Sequence, residues 1–76
     1  MIAFILCKLV AGLEQKAISQ IKSIHGVKDV YLTLGAWDVV VVVEASTIDK
    51  LSALILRELR STHGVHTSET LVTTNL

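Results

Sequence analysis

Residues 35–43 read Gly-Ala-Trp-Asp-Val-Val-Val-Val-Val, a turn that leads into five consecutive valines in a chain of 76 residues. Branching at Cβ suits a pleated strand, so Val39–Val43 is predicted to be a β-strand. Every side chain of this run is apolar, and neither face of the strand is therefore suited to contact with water. A chain this short has roughly two helices with which to cover one face. The other face is expected to be covered by a second copy of the chain.

The composition is that of a single small domain, residues 1–76, without a charge bias. The chain is 51% hydrophobic, has no proline, and carries seven basic and seven acidic residues, which give a formal net charge of zero. The basic residues are scattered, whereas binding to nucleic acid phosphates requires a clustered Lys/Arg surface. We therefore expect no direct nucleic acid partner.

The same composition bears on the location of the protein. The apolar stretch Ile2–Val10 is much shorter than the roughly 20 residues that span a bilayer, and it is predicted to be a strand. Cys7 is the single cysteine and cannot form an internal disulfide, which is typical of a reducing compartment. A cytoplasmic protein with no membrane partner is expected.

An internal repeat divides the chain into two similar halves. Residues 23–27 read Ser-Ile-His-Gly-Val, and residues 61–65, 38 positions later, read Ser-Thr-His-Gly-Val. Each motif follows a segment with helical periodicity, where Gly26 and Gly64 would end a helix with a positive φ. Each half is therefore predicted to run strand, helix, His-Gly-Val, strand.

The two predicted helices each present an apolar stripe at helical spacing. The stripes are Leu13, Ala17, Ile21 and Ile24 in the first helix and Ile48, Leu51, Ile55 and Leu59 in the second. Gly12 and Ser46 are the expected N-caps. Leu54 and Leu56 lie away from the second stripe, and the sequence does not decide whether they widen the buried face or form another contact surface.

The remaining apolar segments complete a four-stranded sheet. Val27–Leu34 and Val65–Thr74 are predicted strands, and Gly35-Ala36 links the second and third strands as a hairpin. The order β-α-β-β-α-β defines a ferredoxin-like α+β fold, in which right-handed crossovers place both helices on one face of the antiparallel sheet.

The opposite sheet face is left open, and we expect two copies to pair through it. Exposed apolar side chains would each forgo roughly 1.5–3 kcal/mol of burial, and a contiguous patch of them favours association. The first strand is apolar at both parities, so the sequence leaves open which parity faces the partner. The residues predicted to form the dimer interface are Phe4, Leu6, Val40 and Val42.

The sequence offers no catalytic set, and neither a metal ion nor another cofactor is expected. The three histidines lie in or beside the turns that follow the helices, whereas Cys7 lies in mid-strand and is interpreted as a small buried side chain. His63 and His66 have the spacing of a metal pair but lack a third ligand.

Two polar segments are candidates for a binding site. In the hairpin, Asp38 either bonds local backbone while Trp37 covers the sheet edge, or the pair clamps a ligand that has an ammonium group and an apolar part. Residues 66–70, His-Thr-Ser-Glu-Thr, either keep an edge strand polar against aggregation or offer hydroxyl and backbone donors to a small carboxylate. Both interpretations stay open for each segment.

Taken together, these segments resemble the effector-binding (RAM) domain of the Lrp/AsnC family of transcriptional regulators over nearly the whole chain. The family's Pro-Gly-Val corresponds to His-Gly-Val at 25–27, and its Gly-x-Tyr-Asp hairpin to Gly-Ala-Trp-Asp at 35–38. Its closing Gly-Val-x-x-Thr-x-Thr corresponds to Gly-Val-His-Thr-Ser-Glu-Thr at 64–70. Each motif is short, but their joint order and spacing is specific.

The resemblance implies a non-enzymatic module that senses a small molecule. It implies dimers formed through the sheets, dimers assembled into rings that are often octameric, and an amino acid or related effector bound between dimers. The matching ligand-binding positions are Gly35, Trp37, Asp38, Ser68 and Thr70.

One departure from the family pattern shapes the expected role. Regulators of this family carry an N-terminal helix-turn-helix domain, whereas the first strand here begins at Ile2, so the chain resembles a stand-alone RAM module that does not read an operator itself. It is expected to sense a metabolite through its own assembly or to join a full-length Lrp/AsnC regulator. The alternatives are a small dimeric ferredoxin-like enzyme of the monooxygenase type and an ACT-like amino-acid-binding domain.

Overall fold

A four-stranded antiparallel sheet forms one layer of the protein. The computed structural model describes residues 1–74 and confirms the order β-α-β-β-α-β. The strands are β1 (Ile2–Leu9), β2 (Val27–Leu32), β3 (Val39–Glu44) and β4 (Val65–Val72). Their spatial order is β2-β3-β1-β4, which places the valine run of β3 beside β1 in the middle of the sheet. β2 and β4 are the edge strands.

Two helices form the second layer. Helix α1 spans Glu14–Lys22, and helix α2 spans Ile48–Ala53 and continues directly into a π-helical turn, Leu54–Leu59, which we call the π segment. Within residues 1–74, neither helix is long and apolar enough to cross a membrane.

Both predicted N-caps are wrong by one residue. Leu13 precedes α1, and its side chain makes no capping bond. Before α2 the cap is Thr47, whose Oγ1 accepts the backbone N–H of Lys50 at 3.2 Å. Ser46 and Thr47 carry the same capping group, so the sequence alone does not choose between them.

The core lies between the helices and the odd-numbered positions of the central strands. These positions are fully buried: Ala3, Ile5, Cys7, Val39, Val41 and Val43. The helices contribute buried side chains to the same layer: Ala17, Ile21, Leu51, Leu54, Ile55 and Leu59. Both helices therefore cover the same sheet face, as the right-handed crossovers predicted.

The second helix departs from its predicted stripe. Ile48 is half-exposed, whereas Leu54 is buried and packs against Gly26 in the turn that follows α1. The π segment closes with a bond from the Arg60 N–H to the Ile55 carbonyl at 2.9 Å, one residue longer than the α-helical bond. Leu51, Ile55 and Leu59 of the predicted stripe are buried, so only its first residue departs from it. Leu54 widens the buried face, while Leu56 stays exposed.

The even-numbered positions of the central strands form the open sheet face. In the strand register Phe4 lies opposite Val42 and Leu6 lies opposite Val40, and directly opposed residues point to the same side. The structure thus settles which parity is open: Phe4, Leu6, Val40 and Val42 share the face that the helices leave uncovered. That a second copy covers this face remains a prediction.

Cys7 is sealed beneath the helices, and we expect its thiol to be inert in the folded protein. Burial raises the pKa of Cys7 to about 11, so the reactive thiolate is scarce at pH 8. Ellman's reagent should therefore react only after denaturant is added. Because the folded state holds the proton more tightly, this group stabilises the fold below its ordinary pKa of 9.0, and that contribution declines as the pH rises from there towards 11. Rapid labelling of the native protein at pH 8 would contradict this assignment.

Candidate functional site

The β2–β3 hairpin is closed by Thr33. Its N–H donates to the Asp38 carbonyl at 3.0 Å, and its hydroxyl donates to the Trp37 carbonyl at 2.5 Å. The connection is therefore a four-residue loop, residues 34–37, rather than the two-residue turn expected from Gly35-Ala36. The apolar side chains of Leu32 and Leu34 are exposed at this end of the hairpin.

Asp38 joins the hairpin to the end of β1. Its N–H donates to the Cys7 carbonyl at 2.9 Å, and its Oδ2 accepts the Leu9 N–H at 2.7 Å. The carboxylate thus extends the β1–β3 ladder by one side-chain bond, made to a residue 29 positions away rather than to the local backbone that the structural interpretation of the hairpin expected. Within residues 1–74, Oδ1 accepts no hydrogen bond from the protein, so a ligand donor can still be accommodated there.

The side chain of Lys8 lies over the ring of Trp37. The Lys8 ammonium lies 5.6 Å from the ring centroid, within the range of a cation–π contact. The indole is half-buried and packs beside the strand that Asp38 binds. A ligand that uses Trp37 as an apolar wall must therefore contact the side of the ring that Lys8 leaves free.

Ser68 and Thr70 lie on the edge strand β4. They are paired with Cys7 and Ile5 of β1, both buried beneath the helices, so the two hydroxyls belong to the helix side of the sheet. Ser68 is half-buried and Thr70 is exposed. The hydroxyl row that the sequence predicted is therefore present at one edge of the sheet.

The hairpin and β4 do not form one pocket in a single chain. β1 lies between β3 and β4 in the sheet, so Asp38 and Ser68 are separated by two strand spacings, about 10 Å. Within one chain, β1 thus separates the backbones of the two residues that the sequence interpretation grouped.

The described part of the surface has a large groove and a small depression. A groove of about 1090 Å³ lies at the end of the sheet away from the hairpin, between residues 25–28 and α2, and none of the predicted site residues lines it. A small depression of about 250 Å³ lies where β4 begins, and its lining residues are Arg60, Val65, His66, Thr67 and Ser68. Of these, Ser68 was predicted as a site residue. Arg60 was not, because it belongs to no motif and only the fold places it beside β4.

Metal chemistry finds no support in the side-chain arrangement. Among residues 1–74, no three His, Cys, Asp or Glu side chains come together in a group able to hold a metal ion. The space between the helices and the sheet is filled by aliphatic side chains and the neutral Cys7 thiol. What the described surface offers is hydrogen-bond donors and acceptors at the sheet ends.

Comparison with known proteins gives a consistent picture. Residues 2–75 match the family described as the Lrp/AsnC ligand binding domain. An uncharacterized HTH-type transcriptional regulator of Pyrococcus furiosus, PF0250, is 33% identical over 63 residues, which cover 82% of this chain and 42% of the regulator. The chain thus spans less than half the length of the curated regulators that it matches.

Solved structures share the fold. FFRP-DM1 superposes with a TM-score of 0.91 at 27% identity, over 96% of this chain and 97% of that one. The Neisseria meningitidis transcriptional regulator NMB0573, in complex with L-Met, has a TM-score of 0.89 at 17% identity, over 97% of this chain and 49% of that one. The second likeness shows the fold alone. By its match over residues 2–75, the chain belongs to the Lrp/AsnC ligand-binding domain family.

Proposed function

We propose that this protein is a cytoplasmic, non-enzymatic sensor module that binds an amino acid and acts through its oligomeric assembly. The observation that carries the proposal is the match of residues 2–75 to the ligand-binding domain of a regulator family. The module would act by its own assembly or by joining that of a longer regulator of the same family. This assignment favours a regulator over the monooxygenase-like and ACT-like alternatives.

The open sheet face supports dimer formation. Its centre is apolar, and charged or polar side chains surround it at the strand ends and on the edge strands, the arrangement found in protein interfaces. The central residues are Phe4, Leu6, Val40 and Val42, and the surrounding ones are Lys8, Asp29, Glu44, Thr67 and Glu69. The second copy of the chain would cover this apolar centre with its own.

The separation of the hairpin from β4 supports a site shared between dimers. Because β1 separates the backbones of Asp38 and Ser68 in one chain, we propose that a single amino acid is held by these residues from two different chains. The exposed leucines of the hairpin, Leu32 and Leu34, provide apolar surface for a contact with a neighbouring dimer. We propose that dimers meet there and assemble into a ring.

This arrangement would couple the ligand to assembly. A ligand that binds only where two dimers meet stabilises that contact by mass action. The experiment is a thermal-shift screen of the twenty amino acids, with sedimentation velocity measured on each hit. Trp37 is the only tryptophan, so its emission reports directly on the hairpin. The proposal fails if no amino acid changes melting temperature, emission or assembly.

Asp38 gives the most specific test of the hairpin. Asp38→Asn keeps an oxygen that can accept the Leu9 N–H but removes the negative charge, whereas Asp38→Ala removes both. If Asp38 binds a ligand ammonium, Asp38→Asn should bind the amino acid found in the screen about tenfold or more weakly, as measured by calorimetry. The melting temperature of this variant should stay close to the wild-type value. If the wild type and Asp38→Asn bind the amino acid with equal affinity, Asp38 has a structural role only.

A further inference from the structure

We propose that Arg60 and Ser68 form a carboxylate-binding subsite at the start of β4, and that it takes the carboxylate of the effector. The two residues line the same small depression, together with Val65, His66 and Thr67. The identification of the ligand as an effector rests on the proposed function. The chemistry of the subsite rests on the arrangement of the side chains alone.

The lining of the depression is composed of donors and lacks acids. Among its five residues are a guanidinium, an imidazole and two hydroxyls, and none is a carboxylate. Within residues 1–74, the only ion pair closer than 4.0 Å joins Lys28 to Glu44, so no described carboxylate neutralises Arg60. An unpaired guanidinium beside hydroxyl donors suits an anion.

The strand register keeps the nearest acid of β4 away from this depression. Glu69 follows Ser68 in the sequence, but it is paired with Leu6 of the open face, whereas Ser68 is paired with Cys7 of the helix side. Successive side chains of a strand point to opposite faces. The charge of Glu69 therefore belongs to the other side of the sheet from Ser68, and Glu69, unlike Thr67 of the same parity, does not line the depression.

The backbone around Arg60 is firmly held. Thr62 is buried, and its Oγ1 donates to the Glu58 carbonyl at 2.8 Å. The Val65 N–H donates to the Thr62 carbonyl at 3.1 Å, and the Val10 N–H donates to the Gly64 carbonyl at 2.8 Å. These bonds fix the turn between the π segment and β4, so the backbone of Arg60 is held close to the start of β4 before a ligand arrives.

The volume indicates which part of a ligand fits. About 250 Å³ is below the range of roughly 300–1,000 Å³ typical of pockets that enclose a whole small molecule. The depression therefore suits a charged end group, and the rest of the ligand extends outward. In the proposed assembly, the outward part would meet the hairpin of a neighbouring chain.

The first arm of the test uses acetate, the smallest organic carboxylate, and does not depend on which amino acid is sensed. Sodium acetate is exchanged for sodium chloride at constant ionic strength while the backbone amide shifts of the full chain are followed by NMR. We expect saturating shifts concentrated at residues 65–68. In Arg60→Gln the acetate affinity should fall about tenfold, and in Arg60→Lys it should fall less, because the charge remains but the bidentate geometry is lost.

The control has the same charge change at a nearby arginine. Arg57 is exposed, belongs to the π segment that ends just before Arg60, and lines the large groove rather than the depression. Arg57→Gln should leave the acetate shifts at residues 65–68 unchanged. The subsite is disproved if Arg60→Gln and Arg57→Gln behave alike, or if the acetate shifts are spread over all basic residues.

The second arm compares L-methionine with L-methioninamide, which lacks the carboxylate. If wild-type protein binds L-methionine, it should bind the amide at least tenfold more weakly, and Arg60→Gln should abolish that preference. Equal binding of the two compounds would disprove the role of Arg60 while leaving amino acid sensing intact. If no amino acid binds but acetate still depends on Arg60, the sensing proposal fails and the carboxylate subsite stands.

Discussion

Val42→Glu is expected to convert the proposed dimer into a folded monomer. Val42 lies opposite Phe4 in the two central strands, so its side chain is in the middle of the open sheet face. A carboxylate buried there without a partner costs about 3–5 kcal/mol, and a symmetric dimer buries two of them. The dissociation constant should therefore rise by about a thousandfold or more. Sedimentation equilibrium at micromolar concentration measures the change.

The fold itself should survive this substitution. Val42 points away from the core, which is built from Val41 and Val43 on the same strand, so the far-UV circular dichroism of the variant should match that of the wild type. The matched control is Ser19→Glu, which adds the same charge to the exposed side of α1 and should not change the assembly. The proposed interface is contradicted if the wild-type protein sediments as a monomer. It is also contradicted if the Val42→Glu variant still dimerises.

Gly64→Ala is expected to cause a larger loss of folding stability than Gly12→Ala. Gly64 has a φ of +99°, and a Cβ there would lie 3.0 Å from the Ala17 Cβ and 3.2 Å from the carbonyl oxygen of Leu13. The left-handed backbone costs about 1–2 kcal/mol for alanine, and overpacking against α1 adds about 1–3 kcal/mol. Urea unfolding should therefore show a loss of roughly 2–5 kcal/mol.

Gly12 provides the control that separates the two costs. Its φ of +90° is nearly the same, but a Cβ there would meet nothing within 4 Å. Gly12→Ala should therefore lose only the backbone contribution, about 1–2 kcal/mol. Both variants must be measured at one protomer concentration, because assembly contributes to the apparent stability. Similar losses in the two variants would show that α1 does not pack closely against the turn at Gly64.

The sheet could be predicted from the sequence because several independent signals agree on it. The valine run, the repeated His-Gly-Val and the apolar spacing of the first helix each predict the same order of elements. The π segment could not be predicted in this way. A π turn differs from an α turn by one residue per hydrogen bond, and the choice between them depends on packing against distant residues such as Gly26. The open parity was also undecidable, because β1 is apolar at both parities.

The candidate site was predictable in part. The polar hairpin and the hydroxyls of β4 stand out in an aliphatic chain, and the structure places both where strands end or form an edge. Their separation by β1 could be seen only from the strand order. Likewise, the bond from the Leu9 N–H to Asp38 joins residues that are 29 positions apart, and no local pattern encodes such a pairing. Arg60 reaches β4 through the tertiary fold, without a motif of its own.

The π segment also has an evolutionary consequence. A π turn holds one residue more than an α-helix needs to close the same hydrogen bond, so loss of that residue would restore a regular helix without breaking the chain's path. Because the π turn absorbs the extra residue, such a deletion would leave the residues beyond it, Arg60 among them, in their places. Residues 54–59 are thus a segment in which we expect the chain to tolerate loss of one residue while the sheet and the start of β4 stay unchanged.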